Sequence, residues 1–331
     1  MLDRLLKTRD WLLADGATGT NLFAMGLSAG EAPELWNAQH PDRVRRLHQD
    51  FVQAGADIIL TNSFGGTSRR LMLHNAHTRV GALNKLAADH ARAVADAADR
   101  PIVVAGSVGP TGDLFAPLGA LTEAAAVEVF VEQMEGLKSG GADVLWIETM
   151  SALEEMRAAA TAAARVGLPA VITASFDTAG RTMMGITPER MAEATTALAP
   201  APHGIGCNCG VGASDLLVSV LAITATRPDA VVVAKANCGI PQVRGGSVEY
   251  SGTPELMADY ARLACDSGAR IIGGCCGTTA THLRAMRQAL DAHRRGARPD
   301  AAKLVEKLGA LASPPAREGA VRRSNRRREG V

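Results

Sequence analysis

The sequence predicts a (β/α)8 barrel, and three observations support this fold class. Short apolar or β-branched runs recur eight times along the chain, and continuous apolar runs are typical of strands buried on both faces of a parallel sheet. Stretches of helical composition separate the runs, and glycines stand where several of those stretches end. Eight strands that alternate with helices are the arrangement of a (β/α)8 barrel. The predicted strands lie within residues 11–16, 56–64, 101–109, 142–150, 169–176, 203–209, 230–239 and 269–277.

The helical stretches have lengths that suit the outer layer of a barrel. Segments 54–57, 140–143 and 267–270 contain glycine just before a predicted strand, where a left-handed glycine can end the helix. The clearest helices are predicted over residues 41–54, 121–139, 151–166, 187–197 and 254–267.

The barrel is predicted to occupy residues 1–298 as a single domain, since α/β barrels commonly reach about 250 residues in one domain. From Pro299 the periodicity decays, and residues 313–331 contain six arginines and two prolines. We therefore predict a C-terminal extension over 299–331 that ends in a flexible, solvated basic tail. Contact of the tail with nucleic acid or an acidic partner is the alternative.

The composition excludes several classes of protein. Hydrophobic residues make up 47% of the chain and charged residues 21%, which is enough apolar material for a large core. The net charge of +1 gives no global field for nucleic acid or an anionic membrane, so the expected partner is a small molecule. We expect neither a membrane span nor a signal peptide, and therefore a cytoplasmic protein. The sequence leaves open whether the protein forms a homo-oligomer.

Three thiols stand at the C-terminal ends of the predicted strands, where such barrels carry their active sites. Cys209 ends the sixth strand, and Cys275 and Cys276 end the eighth. Six cysteines without a secretory signal favour metal binding or redox chemistry over disulfides. Three thiolates suit a tetrahedral Zn²⁺ ion and leave its fourth position open, as in catalytic sites. The strand ends carry Asp15, Asn62, Ser107, Glu148, Phe176, Cys209, Asn237, Cys275 and Cys276.

The two adjacent cysteines can share one ion only if the strand stops there, because neighbours in a strand point to opposite faces. The glycines that flank them permit such a turn. Cys207 shares the face of Cys209 by the strand period, and we place it in the barrel core below the metal. Cys238 and Cys265 are interpreted as small apolar core residues.

Two acids, Asp15 and Glu148, end otherwise apolar strands, where a buried carboxylate needs a cation or hydrogen-bond donors. The strand ends carry no lysine or arginine, because Lys235 lies two residues before the end of its strand. We therefore expect the substrate to bring the positive charge as an amino group. Backbone amides of the glycine-rich turn at Gly16 and Ala17 would then hold a carboxylate beside it. Solvated carboxylates, or a helix cap at Asp15, are the alternatives.

Five motifs together resemble the homocysteine S-methyltransferase family. They are DGATGT (15–20), TNSFGGT (61–67), SVGPTG (107–112), GCNC (206–209) and GGCCGT (273–278). The similarity extends over about residues 10–290. It implies a (β/α)8 barrel that holds zinc on Cys209, Cys275 and Cys276 and methylates homocysteine to methionine. The family's homocysteine-binding acids correspond to Asp15 and Glu148, and we include Asn62 and Trp36 in the predicted substrate site.

The methyl donor implied by the resemblance is betaine, because the similarity is closest to bacterial betaine–homocysteine methyltransferases. A quaternary ammonium favours an aromatic cage, for which Trp36 and Phe64, and after them Phe23 and Phe115, are the candidates near the mouth. Gly65 departs from the pattern, since the animal betaine enzymes carry a donor-contacting tyrosine there.

Other functions remain open from the sequence. DGATGT and IET also resemble the homocysteine module of cobalamin-dependent methionine synthase, so a methyl-corrinoid protein on a separate chain is an alternative donor. S-methylmethionine is another. A homocysteine- or zinc-binding module without catalysis is a third interpretation. A zinc hydrolase is disfavoured because the eight histidines avoid the strand ends.

Overall fold

All eight predicted strands form, and they build one parallel barrel. The structure is a computed structural model that describes residues 1–239, 241–244 and 247–312. The predicted basic tail at 313–331 lies outside the described residues. The barrel strands pair in parallel in the order of the chain, and the last of them pairs with the first. A bridge between Ala14 and Ile58 joins the first strand to the second and closes the barrel. The (β/α)8 prediction is therefore confirmed.

The barrel strands are short and wholly or almost wholly buried. An antiparallel hairpin, β8 (Pro241–Arg244) with β9 (Ser247–Tyr250), is inserted after the seventh barrel strand. The barrel strands are β1 (Leu12–Leu13), β2 (Ile58–Leu60), β3 (Val103–Val108), β4 (Val144–Met150), β5 (Ala170–Ala174), β6 (Gly204–Cys209), β7 (Val232–Ala236) and β10 (Ala269–Gly274).

Helices surround the barrel and also cover its ends. Three short 3-10 helices, Pro33–Leu35, His77–Arg79 and Thr195–Ala197, join or extend them. None of the helices in the described ranges is long and apolar enough to cross a membrane. The α-helices are α1 (Leu2–Thr8), α2 (Gly19–Ala24), α3 (Trp36–Gln39), α4 (Pro41–Ala54), α5 (Ser68–Met72), α6 (Val80–Asp96), α7 (Glu123–Ser139), α8 (Leu153–Val166), α9 (Pro188–Ala194), α10 (Ala213–Thr226), α11 (Pro254–Asp266), α12 (Ala280–Asp291) and α13 (Ala301–Leu308).

Local signals fix where these helices begin and end. The helix predicted over 121–139 starts at Glu123 because the Thr122 side chain accepts a hydrogen bond from the Ala125 amide and caps it. Gly55, Gly141 and Gly268 adopt φ values of 108°, 93° and 98° before β2, β4 and β10. The predicted left-handed glycines at the helix ends are thus confirmed.

The barrel interior has its own hydrophobic cluster, and α1 closes its lower end. Leu2, Leu5 and Leu6 of α1 are buried in the same cluster as the inward-facing strand residues. Trp146 on β4 is completely buried there and is the largest side chain of the interior. The sequence reading missed α1, although leucines at positions i, i+3 and i+4 are a helical signal.

The extension that begins at Pro299 is not irregular throughout. Asp300 caps α13, and Leu304 and Leu308 are buried against the barrel helices. The Ser214 hydroxyl donates to the Gly309 carbonyl at 2.7 Å. We expected the helical periodicity to end at residue 299. This expectation is wrong for the first part of the segment, which forms α13 and packs on the barrel helices.

Candidate active site and metal centre

A layer of polar side chains lies directly above the apolar interior of the barrel. Successive residues of a strand alternate between its faces, so positions two after an interior residue also point inward. Ser107, Glu148 and Lys235 occupy such positions, and each is 7% exposed or less. They follow the interior residues Ala105, Trp146 and Val233.

The three predicted thiols come together at the same end of the barrel. The Sγ atoms of Cys209, Cys275 and Cys276 all lie within 4.8 Å of one another. Tetrahedral zinc with Zn–S bonds near 2.3 Å needs thiolates about 3.8 Å apart, so a small adjustment would seat the ion. The donor set fits zinc, because three soft thiolates leave one position for a further ligand.

Backbone strain directs Cys209 toward the other thiols. Its φ is 63° and that of Gly210 is 77°, so two consecutive residues are left-handed at the end of β6. A cysteine in this conformation costs of order 1 kcal/mol or more, and such strain concentrates at functional sites. Cys207, two residues earlier, instead packs in the layer between strands and helices, with its Sγ 3.7 Å from the Leu216 carbonyl of α10. Our placement of Cys207 in the barrel core below the metal is wrong, because β6 turns after it.

Asn237 ties the two cysteine turns together. Its side-chain oxygen accepts a hydrogen bond from the Cys276 amide at 3.0 Å, and its amide nitrogen donates to the Gly210 carbonyl at 2.7 Å. Asn208 supports the same region from β6 by accepting from the Thr149 amide at 2.9 Å. These contacts hold the thiols in place from outside the cluster.

Burial and contacts among the three thiols raise the pKa of each of them above its ordinary value. A hydrogen bond with Cys209 raises the pKa of Cys275, whereas a hydrogen bond with Cys276 lowers it. Burial raises this pKa further, and the net result is a pKa of about 12. Metal binding here would have to displace protons, as it does at thiolate sites in general. Within the described ranges, this trio is the one group of three or more cysteine, histidine or acidic side chains close enough to hold a metal.

Asp15 has an internal cation, contrary to our expectation that the substrate would supply one. Lys235 Nζ donates to Asp15 Oδ1 at 2.8 Å, and Asp15 Oδ2 accepts from the Leu60 amide at 2.7 Å. The two side chains are 2% and 1% exposed. Burial lowers the pKa of Lys235, but Asp15 and Glu148 more than offset this and raise it above its ordinary value. Lys235 is therefore a cation at neutral pH.

Glu148 is the acid that faces the open site. Its Oε1 accepts from the Ser107 hydroxyl at 2.5 Å, and Ser107 thus holds the carboxylate in position. Burial raises the pKa of Glu148, and Lys235 counteracts this rise. A cation placed against Glu148 would favour its charged form further.

A cavity of about 550 Å³ extends from the thiols to the barrel mouth. Its floor is formed by the three cysteines, Glu148 and Lys235. The outer part is lined by Phe23, Glu34 and Phe64, together with the side chains of Arg70 and His74. This volume lies within the range of about 300–1,000 Å³ that is common for the pockets of small-molecule ligands.

The sequence profile of the family described as homocysteine S-methyltransferase matches residues 12–290. The chain belongs to the homocysteine S-methyltransferase family. Among solved structures, the homocysteine methyltransferase MmuM from Escherichia coli in its metallated form is similar, with a TM-score of 0.72 and 25% identity. The similarity covers 87% of this chain and 99% of that one.

Two methionine synthases are also similar to this member of the homocysteine S-methyltransferase family. That of Mycobacterium tuberculosis is 30% identical over 292 residues, and that of Mycobacterium leprae is 28% identical over 292 residues. Each similarity covers 82% of this chain but 24% of the relative. The chain thus spans about a quarter of the length of these relatives.

The glycine-rich turn lines the cavity, but its glycine and its backbone amide also have structural roles. Gly16 and Ala17 line the cavity. A Cβ at Gly16 would lie 2.6 Å from the Thr278 carbonyl oxygen, so close packing requires the glycine. The Ala17 amide already donates to that oxygen at 3.2 Å. Asp15 is not among the lining residues, and it reaches the cavity floor through Lys235.

The remaining predicted contacts divide between the cavity and the core. Asn62 lines the cavity, and its amide nitrogen donates to the Pro33 carbonyl at 2.7 Å, which fastens the loop over the mouth. Trp36 is only 2% exposed and packs in the hydrophobic core, so its predicted place at the mouth is wrong. Phe23 and Phe64 do line the cavity, whereas Phe115 does not.

Sequence reasoning missed Glu34. This side chain is 5% exposed, lines the outer cavity, and accepts a hydrogen bond from the Gly65 amide at 2.6 Å through Oε1. A Cβ at residue 65 would lie 3.0 Å from that oxygen, which explains why a glycine suits the position. Burial raises the pKa of Glu34. An acid in the apolar stretch that precedes Trp36 was the available signal.

Proposed function

We propose that this protein is a zinc-dependent S-methyltransferase that converts homocysteine to methionine, with betaine as the favoured methyl donor. The observation that carries the proposal is the meeting of three thiols and the Glu148 carboxylate on the floor of one cavity. Membership of the family supports the reaction. The cavity volume of about 550 Å³ supports a second substrate beside the first.

Cys209, Cys275 and Cys276 would hold the zinc ion. When bound, zinc supplies the acidity that turns the homocysteine thiol, with a free pKa near 8.5, into a thiolate. Asn237 keeps the two cysteine turns at a fixed separation, and Glu148, held by Ser107, would bind the ammonium group of homocysteine. The chain thereby orients the substrate sulfur toward the mouth of the barrel, and the gain in rate comes from placing it in line with the donor.

The outer cavity favours a cationic donor. Glu34 presents a buried carboxylate beside two partly exposed aromatic rings, Phe23 and Phe64. A carboxylate and aromatic faces both attract a methylated onium group. Arg70 and His74 lie at the same part of the lining and would meet a carboxylate on the donor. Betaine fits this pattern, and S-methylmethionine fits it as well.

A second candidate function has support from the relatives. Only 24% of each methionine synthase that this chain resembles aligns with it, so the chain would correspond to one module of them. A methyl-corrinoid protein on a separate chain would then supply the methyl group.

Free thiols at the site also favour a reducing location such as the cytoplasm.

Methionine formation from homocysteine is the experiment that tests this function. Zinc-loaded protein is assayed with betaine, dimethylsulfonioacetate, S-methylmethionine or a methyl-corrinoid protein, one at a time. We expect turnover with betaine, and turnover with the corrinoid protein alone would favour the second candidate.

The matched control for the zinc ligands uses another buried cysteine. Cys276→Ala removes one ligand and should abolish both stoichiometric zinc and activity. Cys265→Ala alters a buried cysteine of α11 that does not belong to the cluster and should retain both. Full activity in Cys276→Ala, or zinc-free protein after reducing purification without chelators, would refute the proposal.

A further inference from the structure

The fourth barrel strand contains a bulge beside the cavity. The residues on either side of it keep their register with β5, but Glu148 and Thr149 together lie opposite the single residue Thr173. Two residues against one define a β-bulge, and bulges are over-represented next to active sites. Successive residues of a regular strand point to opposite faces, whereas both residues of this bulge line the cavity. The bulge therefore adds Thr149 to the cavity wall.

The backbone of the bulge is strained at Thr149. Its φ is 62°, and a left-handed conformation is a genuine outlier for a β-branched residue. Strain of this kind persists only where the surrounding structure determines the conformation. The neighbours of Thr149 must therefore hold it in this form.

Asn208 on β6 is the neighbour that holds Thr149. Its Oδ1 accepts from the Thr149 amide at 2.9 Å, and its Nδ2 donates to the Thr149 hydroxyl at 2.8 Å. The orientation of the Asn208 amide is determined, because a backbone N–H can only donate. Asn208 is 1% exposed, and the hydroxyl of Thr173 also donates to its Oδ1, at 2.6 Å. One side chain thus connects three neighbouring strands.

The same side chain reaches the metal centre. Asn208 Nδ2 donates to Cys275 Sγ over a distance of 3.9 Å. A thiol sulfur is a weak acceptor, which suits so long a contact. A thiolate is a stronger acceptor, because hydrogen bonds to charged groups are shorter and stronger than those between neutral groups. Metal binding by Cys275 would therefore strengthen its contact with Asn208.

We propose that Asn208 is a positioning residue that holds the strained bulge of β4 and hydrogen-bonds to the Cys275 thiolate, so that the cavity wall and the metal ligands form one unit. Thr173 acts through Asn208, because its hydroxyl fixes the Oδ1 end of the amide. Hydrogen bonds to a metal-bound sulfur tune the affinity and the electronic properties of the metal site. This inference rests on the proposed function, because it concerns the same metal centre.

A purely structural role for Asn208 predicts a different result. If the amide only stabilised the fold, its loss would lower the free energy of unfolding and leave the metal–sulfur bonds unchanged. If the amide hydrogen-bonds to the Cys275 thiolate, its loss changes the energy of the sulfur lone pairs.

Cobalt(II) is the probe, because its thiolate complexes absorb light by charge transfer from sulfur to the metal. Metal-free, reduced protein is titrated with Co²⁺ alone, and zinc affinity is measured by competition with a chelator. The variants are Asn208→Ala, Thr173→Val, which replaces the hydroxyl by a methyl group, and Thr173→Ser, which retains the hydroxyl. Asn84→Ala is the matched control, because Asn84 is also 1% exposed and donates to the Gly66 and Val80 carbonyls.

Asn208→Ala should bind zinc about 10- to 100-fold more weakly and should move the charge-transfer band to lower energy, because the sulfur lone pairs lose a hydrogen bond. Thr173→Val should show a smaller shift in the same direction and bind zinc about 3- to 10-fold more weakly. Thr173→Ser should resemble the wild type. Asn84→Ala should lower the free energy of unfolding and change neither the band nor the zinc affinity.

A charge-transfer band that stays in place in Asn208→Ala, or equal zinc affinities of Thr173→Val and Thr173→Ser, overturns the inference alone. If Asn208→Ala does not fold, the two Thr173 variants decide. Wild-type protein that binds neither Co²⁺ nor Zn²⁺ overturns the proposed function with it.

Discussion

The buried pair of Asp15 and Lys235 gives a prediction about stability that does not depend on the reaction. The charged atoms are 2.8 Å apart and both side chains are almost fully buried. At an effective dielectric constant near 20, two unit charges at this distance attract by about 6 kcal/mol before desolvation is subtracted. Removing one partner of a buried pair typically costs about 3–5 kcal/mol, because the other charge is left uncompensated.

We therefore expect Lys235→Met to lower the free energy of unfolding by about 3–5 kcal/mol. Adding Asp15→Asn should recover about 2 kcal/mol or more of that loss, since the second change removes the stranded carboxylate. Urea unfolding followed by circular dichroism on the wild type, both single variants and the double variant measures this coupling.

The surface pair of Lys85 and Asp89 is the matched control. Its charged atoms are 2.7 Å apart, but the side chains are 50% and 38% exposed. Water screens such a pair, and its coupling should stay below about 1 kcal/mol. Additive effects of the Asp15 and Lys235 changes, or a coupling no larger than that of the surface pair, would refute the reasoning.

Three further predictions concern the donor, the metal and pH. In steady-state assays, Glu34→Gln should raise the KM for a cationic donor about tenfold, while the KM for homocysteine stays constant. The control is Glu31→Gln, which alters an exposed acid of the same lining. It should change neither of the two KM values. Asn237→Ala should weaken zinc binding about 10- to 100-fold in a chelator competition, because the Asn237 side chain hydrogen-bonds to both cysteine turns. An unchanged zinc affinity would show that Asn237 does not hold the ligands in place. Burial lowers the pKa of His48 from 6.5 to about 4, so the folded state resists a proton that the unfolded chain accepts. The free energy of unfolding should thus fall between pH 6.5 and 4, by about 2–3 kcal/mol at pH 4.5, and a His48→Leu variant with the same acid sensitivity would contradict this.

The fold was largely predictable because its signals are local. Continuous apolar runs marked the eight strands, and glycines before three of them marked the ends of helices. The helices at the two ends of the chain were missed because each has only seven or eight residues. Leu304 and Leu308, four residues apart, carried the signal for the last of them. A helical period over so short a window is easily taken for chance.

The candidate site was predictable in its ligands but not in its charge pattern. Strand ends identified Cys209, Cys275 and Cys276, although the left-handed backbone that turns Cys209 inward cannot be read from residue types. Position along the strand suggested that Lys235 falls short of the site. Its long side chain nevertheless reaches Asp15, because both point into the same barrel layer. Only the folded barrel brings residues 220 positions apart into contact.

X-ray absorption at the zinc edge, with and without homocysteine, tests the proposed chemistry most directly. Zinc-loaded protein should show three sulfur neighbours near 2.3 Å and one lighter ligand. Addition of homocysteine should replace the lighter ligand and give four sulfur neighbours. A sulfur count that does not change, or a shell made mostly of nitrogen and oxygen, would contradict a homocysteine thiolate bound at Cys209, Cys275 and Cys276.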